Sequence, residues 1–181
     1  MKIIYLHGLG SGGQSSTAQG LSALGFDVVS PSYRPEHYKE SMTMLHGLML
    51  ETEPSVIVGT SMGGYYALKL REQLSLPTVS INPCYAPEQL LAKYLDEPAF
   101  DFVANKPIEF TQAMLDEFEA IDRNDNTHPN GLTVLVGAKD DVIPAEAQQH
   151  FLSERQWQWQ TVDWGHRVDD VKLLATVILA N

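Results

Sequence analysis

Apolar positions along this chain follow two alternating rhythms. Short runs rich in β-branched residues read as buried strands at Lys2–Leu6, Phe26–Ser30, Ser55–Val58, Thr78–Ile81 and Thr133–Val136, with a weaker one at Trp159–Val162. Longer stretches with helical spacing lie between them. Ser15–Leu24 is closed by Gly25, Glu36–Thr52 carries Met42, Leu45, Leu48 and Met49 on one face, and Met62–Leu74 stops before Pro77. Ala145–Ser153 and Val168–Leu179 complete the helices. Strands alternating with helices predict an α/β fold: about six parallel strands with helices on both faces and right-handed crossovers. Residues 84–130 break the rhythm. Two short helices are expected there, Pro87–Tyr94 and Pro107–Ala120, followed by a polar loop from Asp122 to Asn130. A connection this long is expected to act as a small lid or pocket wall rather than only protect an edge.

The chain has 181 residues, the size of one domain, so 1–181 is read as a single domain. Acidic residues outnumber basic ones 23 to 12, for a formal charge of −11. Nucleic-acid affinity needs clustered Lys and Arg, and anionic membranes repel such a chain, so both partners are excluded. The one cysteine, Cys84, allows no intrachain disulfide and no Cys-rich zinc site, and is expected as a buried thiol. No apolar run suits a signal peptide or approaches the roughly 20 residues of a membrane helix. The expectation is a cytoplasmic protein. Its oligomeric state is not legible.

The chemistry centres on Gly59-Thr60-Ser61-Met62-Gly63, which matches G-x-S-x-G. It follows the apolar strand ending at Val58 and opens a helix. A serine on such a sharp turn is held exposed, and its neighbours must be tiny for strand and helix to approach. A serine nucleophile needs a base, and the base needs an acid. With the chain order Ser, acid, His, three of the six histidines (His7, His37 and His46) precede Ser61 and fall away. His128 lies in the polar loop and His150 within a helix. His166, in Trp164-Gly165-His166 just past the last strand, is the base. Asp140 and Asp141 follow the preceding strand and compete as the acid, with Asp163 a weaker third. Asn82 occupies the other place an acid could stand, and an amide cannot stabilise an imidazolium as a carboxylate does. The oxyanion donors are expected from the Met62 amide and from the His7-Gly8-Leu9-Gly10 loop, Leu9 first and Gly10 second.

Taken together, Tyr5-Leu6-His7-Gly8, Gly59 to Ala67, Asn82-Pro83, Asp140-Asp141-Val142 and Gly165-His166 resemble the small α/β-hydrolases of the bacterial YqiA-type esterases. The resemblance covers nearly the whole chain. It implies a reduced α/β-hydrolase fold, activity on short acyl esters and no cofactor. It also implies the triad Ser61, Asp140 and His166, since Gly137, Asp140 and Pro144 match the family's Gly-x-x-Asp-x-x-x-Pro. The chain departs from the family at Cys84, which changes the shape of the acyl pocket, and at Arg167, which alters the rim.

The reading is a serine esterase acting on a small-molecule carboxylic ester with a short- to medium-chain acyl group, without cofactor or metal. A thioesterase using the same triad is the nearest alternative, and a non-catalytic hydrolase-like binding module the next. Gly8 to Gly13 also matches G-x-G-x-x-G, but no carboxylate follows the second strand to hold a ribose. Tyr65 to Lys69 imitates a dehydrogenase Tyr-x-x-x-Lys, yet Ser61 stands too close to serve as its partner. Tyr65 and Tyr66 are therefore expected to pack the helix, and Trp157, Trp159 and Trp164 the core or edge, with Trp164 a second choice as a pocket residue.

Overall fold

A computed structural model describes residues 1–118 and 130–181. The first half runs β1 (Lys2–Leu6), α1 (Ser16–Ala23), β2 (Asp27–Val29), α2 (Tyr38–Thr52), β3 (Val56–Thr60), α3 (Met62–Leu74) and β4 (Thr78–Ile81). Then come α4 (Pro87–Leu90), a 3-10 turn (Ala92–Leu95), β5 (Ala99–Asp101), β6 (Lys106–Ile108) and α5 (Gln112–Leu115). The last part is β7 (Leu132–Gly137), α6 (Ala145–Glu154), β8 (Trp159–Val162) and α7 (Val171–Leu179). The main sheet has six strands in the order β2-β1-β3-β4-β7-β8. Every neighbouring pair in it is parallel.

The period-2 alternation of the strands sorts their side chains onto two faces. Ile4, Leu6 and Ile57 join Met42, Leu45, Tyr65, Tyr66 and Leu152 from α2, α3 and α6. Ile3, Tyr5, Val56 and Val58 join Leu21 from α1 and Leu174 and Ile178 from α7. The six strands and the five longer helices match the sequence expectation closely. The helix expected from Val168 begins at Val171 instead, because the Asp170 carboxylate caps the Lys172 and Leu173 amides. Among the described residues, no helix is long and apolar enough to cross a membrane.

The segment from Cys84 departs from expectation. The helix expected over Pro87–Tyr94 splits into α4 and the 3-10 turn. The helix expected over Pro107–Ala120 shrinks to α5 among the described residues, and Pro107 lies instead in an antiparallel hairpin, opposite Phe100. The hairpin turn explains the difference. One Asp101 oxygen accepts from the Val103 and Ala104 amides, and Asn105 takes φ 52°. Asp and Asn hold such turns because their side chains bond locally and tolerate positive φ. Proline fits a two-stranded edge, where a missing N–H is tolerated. The end of the expected Pro107–Ala120 helix, nearly all of the expected Asp122–Asn130 loop, and His128 lie outside the described residues.

Candidate active site

All six main-sheet strands point the same way, so the loops after β1, β3, β4, β7 and β8 emerge at one edge. Ser61 sits between β3 and α3 with φ 58° and ψ −119°. That conformation is costly for a residue with a Cβ and holds the hydroxyl out of the turn. A Cβ on Gly59 would collide with the Gly63 carbonyl, and one on Gly63 with the Leu6 carbonyl. The two glycines are what allow strand and helix to close around the serine.

His166, after β8, places Nε2 2.9 Å from Ser61 Oγ. Its Nδ1 lies 2.9 Å and 3.0 Å from the two Asp140 oxygens. The ring therefore donates Nδ1–H to the carboxylate and turns a bare Nε2 toward the hydroxyl, a tautomer that follows from what each nitrogen faces. Asp140 follows β7, and its side chain is fully buried against His166. Burial by itself would raise its pKa. Hydrogen bonds from His166 and from the Ile143 and Val142 amides outweigh that and hold it below the usual carboxylate range. Gln148 also donates to it at 3.1 Å. Asp141 is exposed, and Asp163 is spent on a solvent-facing ion pair with Lys139. Of the three candidate carboxylates, only Asp140 meets His166.

The loop after β1, expected from the sequence to offer an oxyanion donor, is shaped by His7. This histidine is 1% exposed, and its Nδ1–H donates to the Gly8 carbonyl at 2.9 Å. The Ser11 amide donates to the same oxygen at 3.3 Å. A trans peptide is planar, so Leu9 N–H must point opposite to that anchored carbonyl. Burial lowers the His7 pKa, which keeps the ring neutral. Met62 opens α3, where the first amides have no partner inside the helix. Leu9, Met62, Ser61 and His166 all wall the same cleft.

Two residues gain a place that their sequence neighbourhood did not announce. One is His7. The other is Asn82, 0% exposed after β4 with φ 45°. Its Nδ2 donates to the Gly165 and His166 carbonyls at 3.0 and 3.1 Å, while its Oδ1 accepts from Gly137 N at 2.7 Å. One side chain thus ties the loop carrying the histidine to the end of the strand that precedes the aspartate. The signal was present as an Asn-Pro pair ending a strand at the reactive edge, but only the donors and acceptors around it reveal its use.

Among the described residues, the remaining histidines stand apart. His37 lies near Glu36 at 3.9 Å, and His150 is exposed beside Glu154 at 3.6 Å. Tyr65 and Tyr66 are 0% exposed and pack the core, as their helix spacing predicts. Trp164 is buried in the α1–α7 core and takes no part in the cleft. Cys84 is buried, and burial pushes its thiol pKa well up, so it is an inert part of the cleft wall. Among the described residues, no cluster of His, Cys, Asp and Glu could hold a metal ion.

The cleft has two lobes that meet at Ser61 and His166. One, of about 370 Å³, has mostly apolar walls, among them Met62, Cys84, Leu90, Leu91 and Ile143, with Lys93 as its one permanent cation among the described residues. The other, of about 450 Å³, is rich in hydroxyls. Leu9 and Phe102 also line both. Phe102 comes from the β5–β6 hairpin, whose Phe102 amide donates to the Gly10 carbonyl at 3.0 Å. Residues between Cys84 and Val103 therefore line the cleft, and the hairpin is bonded directly to the loop after β1.

Known proteins share this arrangement of chain. The model of the uncharacterised protein family UPF0227 matches residues 2–177, and the chain belongs to that family. A UPF0227 protein of Shewanella woodyi (strain ATCC 51908 / MS32) is 31% identical over 140 residues, 71% of this chain and 78% of the relative. The resemblance to YqiA-type proteins read from the sequence is thus borne out. Among solved structures, an extracellular alpha/beta-hydrolase from a Paenibacillus species superposes with a TM-score of 0.68 at 14% identity, covering 99% of this chain and 98% of that one. An esterase from Pyrococcus furiosus gives 0.63 at 16%, covering 99% and 77%. A monoacylglycerol lipase of Paleococcus ferrophilus gives 0.64 at 14%, covering 99% and 92%. At these identities the likeness establishes the fold, which is that of the α/β-hydrolases.

Proposed function

We propose that this UPF0227 protein is a serine hydrolase that cleaves carboxylic esters of short- to medium-chain acids through an acyl-enzyme. The observation that carries the reading is the unbroken chain of hydrogen bonds from Ser61 Oγ through His166 to a buried Asp140. In this reaction Ser61 Oγ bonds to the acyl carbon and its proton passes to His166 Nε2. Asp140 holds the tautomer and stabilises the imidazolium that forms. The Leu9 and Met62 amides receive the negative charge on the former carbonyl oxygen. Collapse of the tetrahedral adduct breaks the bond to the leaving oxygen, which takes the proton from His166. Water then attacks the acyl-enzyme with the same histidine as base and frees the acid. The apolar lobe beside Cys84 suits the acyl chain, and its size favours short to medium chains. The related folds among esterases and a lipase agree with this chemistry.

The test is covalent labelling with a fluorophosphonate probe, read by peptide mass spectrometry, on wild type and His166→Ala. Label on Ser61 that disappears without His166 is expected. Ser61→Ala should lose at least about a thousandfold in kcat with the fold intact. Folded wild-type protein that takes no label would sink the reading.

A further inference from the structure

The two lobes of the cleft differ in chemistry as well as in size. The larger is lined by the hydroxyl residues Tyr5, Ser11, Ser15, Ser16, Thr17 and Thr60. Among the described residues, none of those that line it is a carboxylate, in a chain with 23 of them. Its one permanent cation among the described residues is Arg167, which follows His166. Among the described residues, Arg167 forms no salt bridge, and the contact it makes is with the Phe102 ring, 6.0 Å from its guanidinium carbon. The acids nearest in sequence are committed elsewhere. Asp163 pairs with Lys139, Asp169 accepts from the Gly165 amide, and Asp170 caps α7. The guanidinium thus belongs to the hydroxyl-rich lobe, which Ser61 and His166 also line.

We propose that the hydroxyl-lined lobe binds the leaving group, and that this group is a polar alcohol carrying a carboxylate or phosphate that Arg167 takes up. The inference rests on the serine-hydrolase reading for its orientation, with the acyl chain in the apolar lobe. An acyl chain has no use for a wall of hydroxyls, and an anion gains most where a cation is not already paired and no carboxylate opposes it. Arginine suits both anions because its planar fork can donate two parallel hydrogen bonds. Arg167 is exposed, so its contribution is moderate and falls with salt. A preference of about tenfold for the anionic ester is expected, the scale of a charge-assisted contact at a wet rim.

The experiment compares matched butyrate esters on wild type, Arg167→Gln and Arg167→Lys. One pair is 1-butyryl-glycerol and 1-butyryl-glycerol 3-phosphate. The other is butyryloxyacetate and its methyl ester. A third arm, monomethyl succinate against methyl butyrate, moves the charge to the acyl side. Wild type should favour the charged leaving group in kcat/KM by about tenfold, and Arg167→Gln should bring that ratio near one. Arg167→Lys should retain part of it. The phosphate and carboxylate pairs tell the two anions apart. No preference in wild type, a ratio unchanged in Arg167→Gln, or a preference that follows the acyl carboxylate overturns the proposal. Calorimetry with glycerol 3-phosphate and with glycolate separates this from failure of the hydrolase reading. If wild type hydrolyses none of the esters, affinity that falls about tenfold in Arg167→Gln still upholds the anion site. Equal affinity in both proteins, or none in either, then overturns it.

Discussion

Replacing Ser61 with glycine should give a more heat-stable protein than replacing it with alanine. Both substitutions remove the Oγ bond to His166, so that loss cancels in the comparison. What differs is the backbone. At φ 58° and ψ −119°, alanine keeps the clash that serine tolerates, whereas glycine occupies this region freely. Strain of this kind costs about 1–3 kcal/mol. Glycine returns about 0.5–1 kcal/mol through the greater freedom of its unfolded chain. The difference comes to about 1 kcal/mol in favour of glycine. For a chain of this size that corresponds to about 2–4 °C in Tm. Differential scanning calorimetry of the two variants in one buffer reads it directly. Alanine melting at the same temperature as glycine, or above it, would refute the claim that the turn stores strain around the serine.

Asp140→Asn should lower kcat by about 10³–10⁴, because the amide favours the wrong tautomer of His166, while exposed Asp141→Asn stays within a few-fold; steady-state kinetics decides, and the reverse ranking would move the acid by one residue. Asn82→Ala strips the buried Gly137 amide and two carbonyls of their partner, so stability should fall by about 3 kcal/mol. The same variant should lose kcat with KM nearly unchanged, since Asn82 orients the histidine loop without lining the cleft; a loss confined to KM would contradict that. The depressed pKa of Asp140 also sets a pH dependence. Its ionised form contributes stability that is fully present above the ordinary value of 3.8 and is lost as pH falls through the lower folded value. Urea midpoints of wild type and Asp140→Asn should therefore converge on acidification below that range, and a gap that stays constant would show that the carboxylate is not held as described.

Most of the sheet was legible because each strand is a run of β-branched residues and each long helix a 3.6-residue stripe. The sharp turn at Ser61 was legible because its glycines answer a steric demand that the letters display. Asp140 and Asp141 were not separable on local physics, since the difference lies in where a loop turns: the Val142 and Ile143 amides capture one aspartate and leave its neighbour in water. The β5–β6 hairpin was missed for a related reason. Its strands have three residues each, too short for a period to register, and Asp101 and Asn105 encode the turn through side-chain bonds and a positive φ. His7 was set aside by its place in the chain order, which tests for a base and is silent about a residue that shapes backbone.

The bond between the Phe102 amide and the Gly10 carbonyl joins two main chains, and so is indifferent to which side chains the hairpin carries. Phe100, Phe102 and Val103 are 43%, 68% and 72% exposed and can be exchanged with little effect on the core. Mutational drift can therefore remodel what the cleft admits while the scaffold of the loop after β1 is inherited intact. For library design, positions 100, 102 and 103 are the place to randomise, and proline is the one residue to withhold from position 102, because it would delete the donor that keeps the two loops in register.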